Sequence, residues 1–117
     1  MSMNNNPLAQ EINQLHARIC SAISEPNRIL LLYAVAETPQ NVNNLAEIVG
    51  ISQSAASRHL KVLRERGLIQ AQRDGAQVIY SLADKRFIQA LDILREVMLD
   101  QLSQQVDLIK HNQSNER

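Results

Sequence analysis

Cys20 and His16 lie four residues apart, and Cys20 is the single thiol in a chain of 117 residues. On a helix this spacing sets a thiol beside an imidazole one turn away, a pair able to activate sulfur or to hold a soft metal. A lone cysteine excludes an intrachain disulfide and any Cys-x-x-Cys clasp. Two neighbouring ligands do not fill a tetrahedral zinc site. For a soft metal, Asp107 or His111 from the last helix of a second copy would be the further ligand. The plainer reading makes Cys20 a small core residue beside Ile19, the usual fate of an unpaired cysteine. Cys20 with His16 is therefore the candidate sensor, for a thiol-reactive species or a soft metal, and no cofactor is assigned.

The rest of the chemistry is binding chemistry. His59, inside Ser57-Arg58-His59-Leu60, has no serine, cysteine or aspartate spaced to make it a catalytic base. No glycine-rich phosphate loop or paired-carboxylate arrangement stands out, so an enzyme is not expected. Twelve basic and twelve acidic side chains cancel over the whole chain. Between Ser52 and Arg73, however, five basic residues (Arg58, Lys61, Arg64, Arg66, Arg73) face Glu65 alone, a local excess of +4. Such clustering is the electrostatic footprint of a polyanion partner. The three aromatics, Tyr33, Tyr80 and Phe87, are too few for base stacking on an aromatic platform.

These groups need elements to position them. Leu8, Ile12, Leu15, Ile19 and Ile23 follow a helical period, which predicts a helix over 8–23 after a flexible tail, 1–7. Ser24 is placed to cap a second helix that opens at Pro26 and is apolar almost all round from Ile29 to Ala36. A short third helix follows, with Asn43 as its expected cap. Gly50-Ile51 form a tight joint, and Ser52 is set to cap a fourth helix, Gln53 to Arg66, which Gly67 ends. Two β-rich stretches, Leu68–Arg73 and Gln77–Leu82, flank Asp74-Gly75, a hairpin signal. A long helix is predicted over 84–110, then a flexible tail, 111–117. The order predicts an α+β, mainly α fold in one domain, 8–110. It is a winged helix-turn-helix, with the helix pair at 43–66 and a two-stranded β-hairpin wing at 68–82.

On the Gln53–Arg66 helix, Ala56, Leu60 and Leu63 form the inner face, so Gln53, Ser54, Ser57, Arg58 and Lys61 share the outer one, with Arg64 at its edge. Short polar side chains at a helix N-terminus let backbone N–H groups approach a phosphate. Gln53 suits an adenine edge, and Arg58 a guanine or a phosphate. The bland alternative is a solvated face whose arginines serve solubility.

The same residues carry a resemblance. Ser24-Glu25-Pro26-Asn27-Arg28, Leu45-Ala46-Glu47-Ile48-Val49-Gly50-Ile51-Ser52-Gln53-Ser54 and the run from Ser57 to Ile69 resemble the ArsR/SmtB family of bacterial transcriptional repressors. The likeness extends through Val78-Ile79-Tyr80-Ser81-Leu82. It implies a homodimeric repressor that leaves its operator DNA when an effector binds. It also implies major-groove contact by Gln53, Ser54, Ser57 and Arg58, and approach of the Arg73–Gln77 wing to the minor groove. With Ser52, His59, Lys61 and Arg64 these make the candidate DNA-binding set. The family's familiar metal sites have no counterpart. Asn43-Asn44-Leu45-Ala46-Glu47 lacks the Cys-x-Cys pair, and Asp92-Ile93-Leu94 lacks the Asp-x-His.

The first and last helices both carry long apolar rows; on the last these are Leu91, Leu94, Met98, Leu102, Val106 and Ile109. Covering both rows is easiest against a second copy, which makes them the expected dimerisation helices. A homodimer also presents two recognition helices to half-sites one turn of DNA apart. No apolar run reaches the ~20 residues of a membrane span, so a cytoplasmic protein is expected. The rival reading is a winged-helix module for protein–protein contact without specific DNA binding. That would call for an apolar or acidic recognition helix, which Gln53–Lys61 is not.

Overall fold

A computed structural model describes the backbone of residues 6–115 and the side chains of residues 6–112. Of the flexible tails expected at 1–7 and 111–117, residues 1–5 and 116–117 lie outside the described residues. The architecture is α+β and mainly helical: a winged helix-turn-helix with one two-stranded antiparallel sheet. Where one domain was expected over 8–110, contacts group the chain up to Lys85 as one unit and the last helix as another. A lone helix makes most of its contacts along its own length.

Helix α1 spans Pro7–Leu15, with Asn6 as its cap, Oδ1 accepting the Ala9 N–H at 2.8 Å. Pro7 is thus the first helical residue and not part of a tail, as suits a ring whose fixed φ fits the first turn. The helix does not run unbroken to residue 23. His16–Cys20 winds as a π turn and Ala22–Ser24 as a 3-10 turn. The Ser21 N–H bonds the His16 carbonyl at 2.9 Å, five residues back. The carbonyl of Ala17, its partner in an α-helix, is left to side-chain donors.

Helix α2, Pro26–Glu37, buries Leu31, Leu32, Ala34 and Val35 at the centre of the core. Its cap is Glu25 and not Ser24: Glu25 Oε1 accepts the Asn27 N–H at 3.4 Å. Ser24 belongs to the 3-10 turn and donates its hydroxyl to the Ser21 carbonyl at 2.8 Å. Helix α3, Val42–Val49, begins two residues earlier than Asn43 suggested, because Asn41 is the cap and accepts the Asn44 N–H at 2.9 Å. Helix α4, Gln53–Glu65, starts at the Ser52 cap as expected and buries Ala56, Leu60 and Leu63. It ends in a Schellman turn. Leu68 N–H reaches the Leu63 carbonyl at 2.9 Å, and Gly67 N–H the Arg64 carbonyl at 3.1 Å. The turn needs a left-handed residue, and Gly67 supplies φ +83°.

Strands β1, Ile69–Asp74, and β2, Gln77–Leu82, pair antiparallel with Ile69 opposite Leu82 and Asp74 opposite Gln77. The loop is therefore Gly75-Ala76, one residue later than Asp74-Gly75. Gly75 has φ +63° and Ala76 is not left-handed, the pattern of a II′ turn, whose hand matches the strand twist. Gln40 pairs with Tyr80 through two backbone bonds, 3.1 and 2.8 Å, and roots the hairpin at the α2–α3 connection.

Helix α5, Arg86–Asn115, is 30 residues long, about 45 Å at 1.5 Å per residue. It runs through residues 111–115, where a flexible tail was expected. The sequence holds no glycine or proline after Gly75 to stop it. Among the described residues no helix is long and apolar enough to cross a membrane.

Candidate nucleic-acid interface

Burying Ala56, Leu60 and Leu63 turns the opposite face of α4 outward, so Ser52, Gln53, Ser54, Ser57, Arg58, Lys61 and Arg64 are all exposed. Ser52 Oγ accepts the Ala55 N–H at 3.1 Å and lies 3.4 Å from Ser54 Oγ. The helix N-terminus is thus capped by short hydroxyls, which leaves room for a phosphate to come close. His59 is half-buried, between this stripe and the inner face.

Beside the stripe, Ser57, Lys61, Arg64 and Glu65 of α4 and Tyr80 of β2 line an open groove of about 430 Å³. The hairpin is held by more than its ladder. Asn41 Nδ2 donates to Gln77 Oε1 at 2.9 Å, and Gln40 Nε2 to the Ala34 carbonyl at 3.4 Å. Gln77, exposed and expected to approach DNA, thus has a role within the fold. Arg73 stands exposed on β1, opposite Val78.

One of the five clustered basic residues does not join the outer face. Arg66, half-buried at the end of α4, donates through Nη1 to the Ala17 carbonyl and to Ser21 Oγ, the latter at 3.3 Å. Arg28 reaches the same region from α2, with Nε on the Ala22 carbonyl at 2.5 Å and Nη2 on that of Ser21 at 3.3 Å. Sequence reasoning missed both roles. The one available signal was Arg28's place next to the expected end of the first helix, where cations suit the free carbonyls.

The candidate sensor residues sit on the π turn. Cys20 is exposed within the protomer and not packed in its core, and His16 is exposed as well. His16 and Cys20 are the first and last residues of this turn, and the His16 carbonyl accepts the Ser21 N–H at 2.9 Å. Asp107 and His111 lie on α5, in the other unit. Among the described residues no three His, Cys, Asp or Glu side chains gather to hold a metal ion.

The sequence and the fold are similar to those of known proteins. The sequence model described as "Bacterial regulatory protein, arsR family" matches residues 25–71. The chain is 38% identical over 91 residues to the HTH-type transcriptional regulator NmtR of Mycobacterium tuberculosis, covering 75% of this chain and 76% of that protein. It is 37% identical to a transcriptional repressor SmtB homolog of Synechocystis, over 72% of this chain and 61% of that one. The crystal structure of NolR from Sinorhizobium fredii superposes with a TM-score of 0.69 at 34% identity, covering 79% of this chain and 92% of that one.

Proposed function

Because this chain belongs to the arsR family of bacterial regulatory proteins, we propose that it is a cytoplasmic, homodimeric transcriptional repressor that binds operator DNA and is released by an effector. It acts by binding and not by catalysis. The observation that carries the reading is the exposed stripe on α4, from the Ser52 cap through Gln53, Ser54, Ser57 and Arg58 to Lys61 and Arg64. Gln53, Ser54, Ser57 and Arg58 face the major groove, while Lys61, Arg64 and Arg73 add phosphate contacts. His59, half-buried beside them, completes the proposed DNA-binding set.

Two-fold assembly follows from exposed apolar area. Leu8, Ile12 and Leu15 on α1 are each about half exposed, as are Leu94, Met98, Leu102, Val106 and Ile109 on α5. Rows of this length are rare on monomers, and a second copy of the chain covers them. The reading is tested by selecting duplexes from a random pool with the full-length protein. Enrichment of a two-fold related site supports it, and failure to enrich any sequence opposes it.

A further inference from the structure

We infer that Arg66 is a positioning residue for DNA binding: it fixes the C-terminal end of α4 to the π turn of the first helix and passes changes in that helix to the recognition helix. The inference rests on the DNA-binding reading above, but on different residues. The π turn diverts the Ser21 N–H to the His16 carbonyl, which frees the Ala17 carbonyl. Two side chains take it up: Ser21 Oγ donates to it at 2.6 Å, and Arg66 Nη1 donates to it and to Ser21 Oγ. Were this segment wound as an ordinary α-helix, the Ser21 N–H would occupy that carbonyl. The π winding therefore leaves both lone pairs of that carbonyl to the two side chains. Gly67 next to it has open space toward this helix, with the guanidinium of Arg18 4.0 Å from where a Cβ would stand. Arg28 holds the Ser21 and Ala22 carbonyls from α2. The joint is thus anchored on the core side by Arg28 and linked to the recognition helix by Arg66. Both guanidinium groups donate into this joint.

The position of Arg66 makes the claim separable from a DNA contact. A side chain that neutralises a phosphate contributes about one unit to the slope of log affinity against log salt; a positioning residue contributes none. The experiment measures affinity of the full-length protein, across a salt series, for a duplex enriched from a random pool by the wild type. Arg66→Met is expected to weaken binding about tenfold with an unchanged salt slope. Arg66→Lys, which retains a donor, should recover most of the loss. Ser21→Ala should also weaken binding, and add little in the Arg66→Met background, since both act on one carbonyl. A slope smaller by about one in Arg66→Met would make Arg66 a phosphate contact and overturn the inference, as would full affinity in that variant. If Arg66→Met does not fold, Ser21→Ala decides: full affinity overturns the inference, and a loss at unchanged slope supports it. A wild type that enriches no duplex would instead defeat the DNA-binding reading itself.

Discussion

Asn41 and Gln77, 36 residues apart in sequence, meet side chain to side chain, with Asn41 Nδ2 2.9 Å from Gln77 Oε1. The same Asn41 carboxamide accepts the Asn44 N–H through its oxygen. One side chain therefore starts the helix-turn-helix and holds the wing beside it. Both ends of the amide are used, so it has one orientation that serves.

Asn41→Ala should cost about 1 kcal/mol in urea unfolding, the usual loss for a helix cap. Gln77→Ala removes only the wing contact and should leave stability within ~0.5 kcal/mol. Hydrogen exchange should speed up at the hairpin in both variants, and at the start of α3 in Asn41→Ala alone.

Arg58→Ala should weaken binding to the selected duplex by about 1–3 kcal/mol while changing affinity for random DNA much less, if the guanidinium reads a base. Equal loss on both, with a salt slope lower by about one, would make it a phosphate contact. Competition titrations at several salt concentrations separate the two.

Leu94→Glu and Leu102→Glu each place a charge in an apolar row whose members stand 63% and 48% exposed within the protomer. A buried, unpaired carboxylate is strongly disfavoured. Sedimentation should show the wild type as a dimer at micromolar concentration and both variants shifted to monomer. A wild-type monomer would remove the two-fold part of the account.

Zinc at modest excess should leave the DNA complex intact, because neither Asn43–Glu47 nor Asp92–Leu94 offers the thiol or imidazole ligands zinc needs. Peroxide, polysulfide or a thiophilic metal acts on the exposed Cys20 thiol and should release DNA from the wild type but not from Cys20→Ser. Identical behaviour of the two proteins would remove Cys20 from sensing.

Much of this architecture was legible from residue types. The inner row Ala56, Leu60 and Leu63, the Ser52 cap and the Gly67 stop defined α4 and its outward face, since one helical period fixes both sides at once. Local competition between similar signals was harder to read. Ser24 is the favoured cap type, yet Glu25 caps because Ser24 belongs to the preceding 3-10 turn; Asn41 and Asn43 are equally suited, and Asn41 caps. The π turn leaves no mark in composition: His16–Cys20 contains no glycine or proline, and Ile19 and Ile23 keep a helical spacing through it. Charge counting also misplaced one residue. Arg66 contributes to the local +4, but its guanidinium turns toward the Ala17 carbonyl, which sequence could not show was free of its α-helical partner.

The most direct measurement of the central claim is selection of duplex DNA from a random pool by the full-length protein, followed by the stoichiometry of the complex. The account predicts two half-sites in inverted repeat, centred about one helical turn apart and bound by two chains. Gln53→Ala with Arg58→Ala should abolish the enrichment. A pool that stays random, or a site bound by one chain without two-fold symmetry, would contradict it.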